Sequence, residues 1–317
     1  MLKAERSHLS ADVAAELRDA LRRRQKELPA RWLAALDAAT LRAGTGGPRC
    51  HGHESIEGEL GLAVLGTTLS HARPRGLVCV RPSASSASLI LADALWQRGS
   101  VTAIAAAELD SALAVQMLER ITGRGSFESS AAVACDYTVD LPLPDNFPRP
   151  RVYLCLGNVL GSVTAVGAVR LLRVLRATMR PTDTIILGLE MNQADSVAAL
   201  SNEDLDAASA RHIAALRLIN TAVGAAFDLS RFDYRPTYDP EQRRLETHLV
   251  ARKPLDVDLP GVCAVRFRKG ESIRTSVSCV FDRNRVAAMM AGVGLGLAEW
   301  MLDATGGYVI AVATPAI

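Results

Sequence analysis

The chain has 317 residues, of which 49% are hydrophobic and 22% are charged, and its formal net charge is +2. This composition is that of a folded protein with a sizeable core, in one large or two ordinary domains, and it excludes a disordered chain. A net charge this small argues against a dedicated nucleic-acid-binding surface.

Helical patterns fill the first part of the chain. Ser10 can cap a helix predicted from Ala11 to about Lys26, and further helices are predicted around 32–41 and from about 55 to 69. The run Arg22-Arg23-Arg24 lies among acidic residues of the first helix, which is typical of a solvated helix face. A patch for a phosphate group or a carrier protein is the alternative.

From residue 75 onward, short apolar runs alternate with helical patterns. Such alternation predicts parallel strands joined by crossover helices, and strands buried on both faces are continuously apolar. The predicted strands are 77–80, 101–106, 131–135, 152–156 and 184–189, and the predicted helices are 86–97, 109–122, 164–178 and 202–222.

A different pattern begins near residue 230. Segments 244–252, 263–268 and 274–281 alternate in polarity, which indicates antiparallel strands, and Tyr308–Ala313 is predicted to be a last strand. The apolar stretch 287–297 is either packed in the core or an adaptable partner surface. We therefore predict an α/β fold with a Rossmann-like core and a second, smaller α/β lobe. An N-terminal helical segment (1–70) joins that lobe, the core spans 71–195, and 196–317 forms the lobe and the last core strands.

Cysteine usage and the N-terminus bear on the compartment. The six cysteines form no C-x-x-C pair, and Cys79, Cys135 and Cys155 lie in apolar runs, as expected of reduced thiols that act as small hydrophobic residues. The N-terminus lacks the apolar region of a signal peptide, and no apolar run reaches the ~18 residues of a membrane span. We expect a cytoplasmic protein that does not cross a membrane.

One turn has the layout of a nucleotide-binding site without its usual glycines. In "GLVCVRPSASSASLILADAL" (76–95), an apolar strand is followed by a loop of small residues and a helical pattern. Turns of this kind normally carry glycines, as in G-x-G-x-x-G, and the loop 81–86 has none. The turn therefore either still binds a nucleotide-like cofactor or has been closed for another use.

Five motifs in order resemble the histidine-specific N-methyltransferases of ergothioneine biosynthesis. They are "ACDYTVDLPLP" (134–144), "VYLCLGNVLGSV" (152–163), "DTIILGLEMNQAD" (183–195), "AAFDLSRFDYRPTYDPEQRRLETHLVAR" (225–252) and "FRKGESIRTSVSCVF" (267–281). The resemblance covers nearly the whole chain. It implies a Rossmann-like methyltransferase core that uses S-adenosylmethionine (SAM) and a smaller substrate lobe.

The chain departs from this family at the cofactor site. The family's E-L-G-S-G-type turn corresponds to 80–84, where Pro82 lacks an N–H group and Ser83 and Ala84 bring Cβ atoms toward the methionine part of SAM. The family's ribose-binding acid corresponds to Ala107, with Glu108 adjacent and on the opposite face. The resemblance implies that Asp136 occupies the position that meets adenine.

The substrate side departs as well. Two tyrosines that help to position substrate in the family correspond to Ala34 and Cys50, and a third falls near Ser201. The asparagine that holds the amino-acid group corresponds to Ser162. The T-E-V-S segment that grips imidazole reads Thr275-Ser276-Val277-Ser278, so only Ser278 of that gripping pair is kept. A histidine substrate is therefore not expected.

These losses favour a methyltransferase scaffold that works without SAM, with SAM use as the alternative. Ser83, Ser85 and Ser86 lie where a helix begins and, with Arg81, could bind sulfate, phosphate or a carboxylate; a plain serine cap is the alternative. Ser276 and Ser278 offer further hydroxyls on one strand face, or belong to an ordinary surface strand.

For acid–base chemistry the candidates are His51, His53, Glu54 and Glu190. Histidine titrates near neutral pH, and a carboxylate beside a protonated amine can orient it and remove its proton. The H-G-H-E run is alternatively an exposed loop or a metal site, although no third cluster of ligands is visible for a metal.

The favoured reaction is intramolecular substitution in secondary metabolism, with loss of sulfate or phosphate from an amine or amino-acid-derived substrate. For this reaction, the chain is expected to resemble the larger subunit of the aziridine-forming proteins of azinomycin-type antibiotic pathways, which eliminate sulfate. Two alternatives stay open: a divergent SAM-dependent N-methyltransferase of an amino acid or amine, and a non-catalytic scaffold for a small partner subunit. The substrate is free or attached to a carrier protein.

Overall fold

The computed structural model describes residues 11–42, 54–67, 73–99, 101–191 and 202–316. Contacts divide the chain into two compact units, one made of Met1–Leu36 with Ala194–Val277 and the other of Asp37–Gln193 with Ser278–Ile317. No helix in the described residues is long and apolar enough to cross a membrane.

The elements follow one another as an α/β chain with a strand-rich stretch after residue 230. The helices are α1 Ala11–Arg22, α2 Ala30–Arg42, α3 Glu54–Gly66, α4 Ala87–Gln97, α5 Ser111–Thr122, α6 Ala165–Thr178, α7 Asn202–Val223 and α8 Arg283–Ala291. The strands are β1 Lys26–Glu27, β2 Gly76–Val80, β3 Ala103–Glu108, β4 Ser129–Ala134, β5 Arg151–Cys155, β6 Thr184–Glu190, β7 Phe232–Asp239, β8 Arg244–Ala251, β9 Leu255–Leu259, β10 Cys263–Phe267, β11 Ser272–Cys279, β12 Leu295–Leu302 and β13 Tyr308–Pro315.

A seven-stranded sheet forms the larger unit, in the order β12-β13-β6-β5-β2-β3-β4. Strands β2 to β6 are parallel, whereas β13 runs antiparallel to both of its neighbours. Every residue of β2, β3, β5 and β6 is buried, as expected of strands covered by helices on both faces. The predicted Rossmann-like α/β core is therefore confirmed.

Helix α3 packs within this larger unit, although the sequence grouped it with an N-terminal segment reaching residue 70. Its Gly61 lies against Leu91 of α4 so closely that a Cβ at position 61 would overlap the leucine side chain. The close approach fixes α3 beside α4. The finer domain limits at 70/71 and 195/196 stay a prediction.

The smaller unit contains a four-stranded sheet, in the order β1-β11-β8-β7, and a separate β9-β10 hairpin. Its core includes the aromatic cluster of Phe227, Phe232 and Phe267, whose ring centroids lie 5.6–6.4 Å apart. Strand β7 lies at the edge of its sheet and contains Pro236, which lacks the N–H group that a central strand would need.

Several predicted boundaries needed correction. Helix α1 ends at Arg22, and Lys26 and Glu27 pair in parallel with β11 instead of continuing the helix. Strands β7, β9 and β12 were not predicted. The apolar stretch 287–297 contains the end of α8 and the start of β12, and Met290 within it is fully buried, so the core-packing alternative holds for that residue.

Candidate functional site

The candidate site lies at the carboxyl edge of the seven-stranded sheet. Strand order reverses between β2 and β5, because β2 is followed by β3 on one side and pairs with β5 on the other. Ligands of open α/β sheets bind at such a switch point, beyond the carboxyl ends of the strands. The loops after β2, β4 and β5 and the ends of β3 and β6 therefore bound the site.

The turn after β2 keeps a tight conformation without glycine. Arg81 takes a positive φ of 52°, which a residue other than glycine rarely adopts, and Pro82–Ala84 form one short 3₁₀ turn. The amide of Ser83 donates to Glu108 Oε1 at 2.8 Å, and the amide of Ala84 donates to the Arg81 carbonyl at 2.9 Å. The carboxylate at the end of β3 thus holds the turn.

Ser85 accepts a backbone hydrogen bond at the start of α4. The amide of Ala87 donates to Ser85 Oγ at 3.1 Å, and the amides of Ser88 and Leu89 donate to the carbonyls of Ser85 and Ser86. These donors already have partners inside the protein, as has the amide of Ser83. The side chain of Ser85 therefore fits the capping alternative, whereas Ser86, at the N-cap of α4, makes no side-chain capping bond, and the assignment of these serines to an anion stays a prediction.

Ala84 points into the protein. It is 2% exposed, belongs to the apolar core of the sheet, and lies so close to Gly157 that a Cβ at position 157 would overlap its backbone. We expected the side chain of Ala84 to occupy the space of the methionine part of SAM. Its methyl group instead packs where Gly157, with a φ of 72°, leaves room for it.

Two acidic residues lie at the ends of neighbouring strands. Glu108, the last residue of β3, is buried, whereas Asp136 follows β4 and is exposed. Asp136 Oδ1 accepts hydrogen bonds from the amide and hydroxyl of Thr138, at 2.9 and 2.7 Å, which orients the carboxylate. Carboxylates suit the hydroxyl and amino donors of an adenosine group, so these residues fit the adenosine part of SAM.

Arg81 and the buried Tyr137 follow neighbouring parts of the sheet edge and act on each other electrostatically. Burial raises the pKa of Tyr137 well above its ordinary value, and the nearby charge of Arg81 partly opposes that rise. Tyr137 therefore remains a neutral phenol at physiological pH.

The loop after β5 brings Asn158 to Glu190 at the end of β6. Asn158 adopts a φ of 53° and is buried. Its Nδ2 donates to Glu190 Oε2 at 3.3 Å and to Ser278 Oγ at 3.2 Å. Glu190 is also buried, so its carboxylate is oriented by these contacts.

The other serines of the predicted site have local partners. The hydroxyl of Ser162 donates to the Val159 carbonyl at 2.7 Å. Ser276 Oγ lies 2.5 Å from Thr247 Oγ1 across the smaller sheet. The histidines His51 and His53 lie outside the described residues, and Glu54 begins α3 without a described side chain.

Glu57, Asn158 and Tyr308 were missed by the sequence analysis. Glu57 lies within a helical pattern, Asn158 within an apolar run, and Tyr308 at the start of a predicted strand. The G-N pair after β5 was the one available signal, since asparagine readily adopts a positive φ. Nothing local indicated that Glu57 would be buried beside Tyr308.

The solved structures that resemble the chain define its class. The CcbJ methyltransferase from Streptomyces caelestis superposes with a TM-score of 0.50 at 16% identity, covering 85% of this chain and 97% of that one. A S-adenosylmethionine-dependent methyltransferase from Clostridium acetobutylicum ATCC 824 also gives a TM-score of 0.50, at 6% identity, covering 90% and 99%. The fold is that of SAM-dependent methyltransferases.

The sequence comparisons place the chain more narrowly. Residues 84–315 match the family model of histidine-specific, SAM-dependent methyltransferases, and the chain belongs to that family of enzymes. The histidine N-alpha-methyltransferase of Mycobacterium tuberculosis is 26% identical over 261 residues, covering 81% of this chain and 80% of that protein. The one of Mycolicibacterium smegmatis is 28% identical over 167 residues, covering 51% of each. The resemblance drawn from the motifs is confirmed.

The expectation that SAM use has been lost was wrong. Membership of a SAM-dependent family overturns it, together with the expectation of no cofactor and of a ring-closing elimination of sulfate or phosphate. One physical error was to direct the bulk of Ala84 toward the cofactor, whereas its side chain packs in the core.

Proposed function

We propose that this protein transfers a methyl group from SAM to the nitrogen of an amino acid or another amine. The family match over residues 84–315 carries the proposal, because it begins at the end of the turn after β2 and spans strands β3 to β6, whose carboxyl ends bear Glu108, Asp136 and Glu190. When bound, SAM supplies an electrophilic methyl group on its sulfonium centre.

Within this proposal Asp136 and Glu108 hold the adenosine part of the donor. Asp136 presents an oriented, exposed carboxylate after β4, and Glu108 ends the neighbouring strand β3. Glu190 binds the amine of the substrate. An amine must lose its proton before it can attack, and a buried carboxylate that is already oriented by Asn158 can accept that proton.

The substrate is proposed to be an amine other than histidine. In the resemblance, the acid that grips imidazole corresponds to Ser276, and the Ser276 hydroxyl is engaged by Thr247. A hydroxyl group lacks the charge with which a carboxylate holds an imidazolium ring.

Methyl transfer from isotope-labelled SAM to a panel of amino acids and amines, histidine included, tests the function. We expect labelled N-methyl product with at least one amine and less with histidine. Efficient methylation of histidine would contradict the substrate assignment alone. Absence of SAM binding in calorimetry would contradict the function itself.

The substitution Asp136→Ala tests the adenosine assignment. Loss of a charged hydrogen-bond acceptor costs about 1.5–3 kcal/mol, so we expect the Kd for SAM to rise roughly 10- to 100-fold. Asp145→Ala, at an exposed position in the loop before β5, is the matched control and should leave the Kd unchanged. Equal affinity of the Asp136→Ala variant and the wild type would remove Asp136 from the cofactor site.

A further inference from the structure

Glu57 is a buried carboxylate that connects three elements of the larger unit. It lies in α3, is 1% exposed, and its Oε1 accepts the amide of Gly157 at 2.7 Å. The same oxygen accepts the hydroxyl of Tyr308, the first residue of β13. A single side chain thus joins α3 to the loop after β5 and to β13.

The sheet provides a cradle for this carboxylate. Gly188 of β6 has no side chain, and a Cβ at that position would overlap Glu57 Oε1 and the Tyr308 hydroxyl. Glu190 and Tyr308 are directly opposite each other in the pairing of β6 with β13. The position of Glu57 is therefore constrained by the backbone of β6 at Gly188 and by its hydrogen bonds to Gly157 and Tyr308.

Tyr308 acts as a hydrogen-bond donor in this cluster. Burial raises its pKa well above the ordinary value, and the charges of Glu57 and Glu190 raise it further. The phenol therefore keeps its proton and donates a hydrogen bond to Glu57 throughout the physiological pH range.

The loop after β5, which Glu57 holds at Gly157, also carries Asn158. Asn158 contacts Glu190, the residue proposed to bind the amine. Gly157 and Asn158 both take a positive φ, so the loop turns sharply where Glu57 binds it. The next residue after the anchored amide, Asn158, donates to Glu190 and Ser278. A displacement of Gly157 would therefore move the amide group that orients Glu190.

We propose that Glu57 is a positioning residue, which fixes the loop at Gly157 and, through Asn158, sets the orientation of the Glu190 carboxylate toward the amine. This rests on the proposed function, because Glu190 is the residue assigned there to the amine. Glu57 itself acts through its neighbours and is not assigned a contact with the substrate.

Glu57→Leu and Glu57→Gln, with Glu59→Gln as the matched control, test the proposal. Glu59 lies on the same helix but is exposed. Hydrogen exchange at residues 157–162 should accelerate at least tenfold in Glu57→Leu and remain near the wild-type rate in Glu57→Gln, since a glutamine carbonyl can still accept both hydrogen bonds. Tyr308→Phe removes one hydroxyl only and should show a smaller acceleration.

Activity separates positioning from general stability. We expect the KM for the amine to rise about tenfold in Glu57→Leu, with the Kd for SAM unchanged and with Glu57→Gln restoring the KM. A wild-type rate of hydrogen exchange at 157–162 in Glu57→Leu would overturn the proposal. Equal losses of affinity for the amine and for SAM would also overturn it. If no amine is methylated, the proposed function fails, while the exchange experiment on the free protein still decides whether Glu57 anchors the loop.

Discussion

At the scale of single residues, His212 is the clearest case of a buried titratable group with a structural role. It lies in α7, is 5% exposed, and packs against Tyr234 with ring centroids 5.3 Å apart. Burial lowers its pKa from 6.5 to about 3, and the charge of Arg211 contributes to the decrease. The ring is therefore neutral in the folded protein at every pH near neutrality.

This burial predicts acid-sensitive stability. Because the folded-state pKa lies below the unfolded value, the unfolded chain takes up a proton as the pH falls below about 6.5, and stability is lost toward pH 3. When the pH falls from 7 to 5, protonation of His212 in the unfolded chain should lower the free energy of unfolding by about 2 kcal/mol. The variant His212→Phe should lack this loss. Urea titrations of both proteins at the two pH values measure this difference. An identical loss in the variant would show that other groups are responsible.

The residues of the proposed site were only partly predictable from the sequence. Glu108 and Asp136 were found from their alignment with the family's cofactor-binding positions, and Glu190 because it lies at the end of a strand that is visible as an apolar run. Glu57 was not found, because a glutamate on a helix is ordinarily solvated, and its burial depends on the absence of a side chain at Gly188.

At the scale of elements, Asp183 ties the amino ends of two central strands together. It is fully buried and accepts the amide of Arg151, the first residue of β5, at 2.7 Å and that of Arg180 at 2.8 Å. The Arg149 guanidinium also contacts this carboxylate. The side chain thus satisfies backbone donors that no strand pairing reaches.

Removal of this carboxylate should destabilise the sheet strongly. Asp183→Ala leaves buried amides and a guanidinium without their acceptor, and we expect a loss of about 3–5 kcal/mol. The comparison is Asp110→Ala, which removes the cap of α5 at the amide of Leu113 and should cost about 1 kcal/mol. Equilibrium denaturation gives both values. Similar losses in the two variants would mean that Asp183 is only another cap.

Pairing between distant segments explains the element boundaries that were wrong. Lys26 and Glu27 leave the helical pattern because they pair with β11, where Glu27 forms an ion pair with Arg274. Lys26 likewise contacts Glu271. Helix propensity is a weak local preference of less than about 1 kcal/mol per residue, so such tertiary contacts override it.

At the scale of the whole molecule, the two units should respond differently to the product of the proposed donor. S-adenosylhomocysteine at a hundred times its Kd should stabilise the protein by about 2.7 kcal/mol and raise its Tm by several degrees. Hydrogen exchange should slow in 81–86, 108–110 and 134–138, which belong to the larger unit.

The control for this prediction lies within the same molecule. Strands β9 and β10 of the smaller unit form a separate hairpin and should exchange at unchanged rates. Protection of the hairpin without protection of the turn after β2 would place the ligand elsewhere. No thermal shift at millimolar ligand would argue against a donor site in this protein.

By itself, the sequence determined the α/β class, the order of the main strands and helices, and the family, because these depend on polarity patterns and short motifs between near neighbours. Tertiary structure alone decided which way Ala84 points, where α1 ends, and that Glu57 meets Gly157 and Tyr308, which lie 100 and 251 residues away in the chain. Such contacts depend on the space left between packed elements, and a missing Cβ at Gly157 or Gly188 acts on distant residues. No local pattern records that space, so the direction of a side chain at the site could be known only once the sheet was assembled.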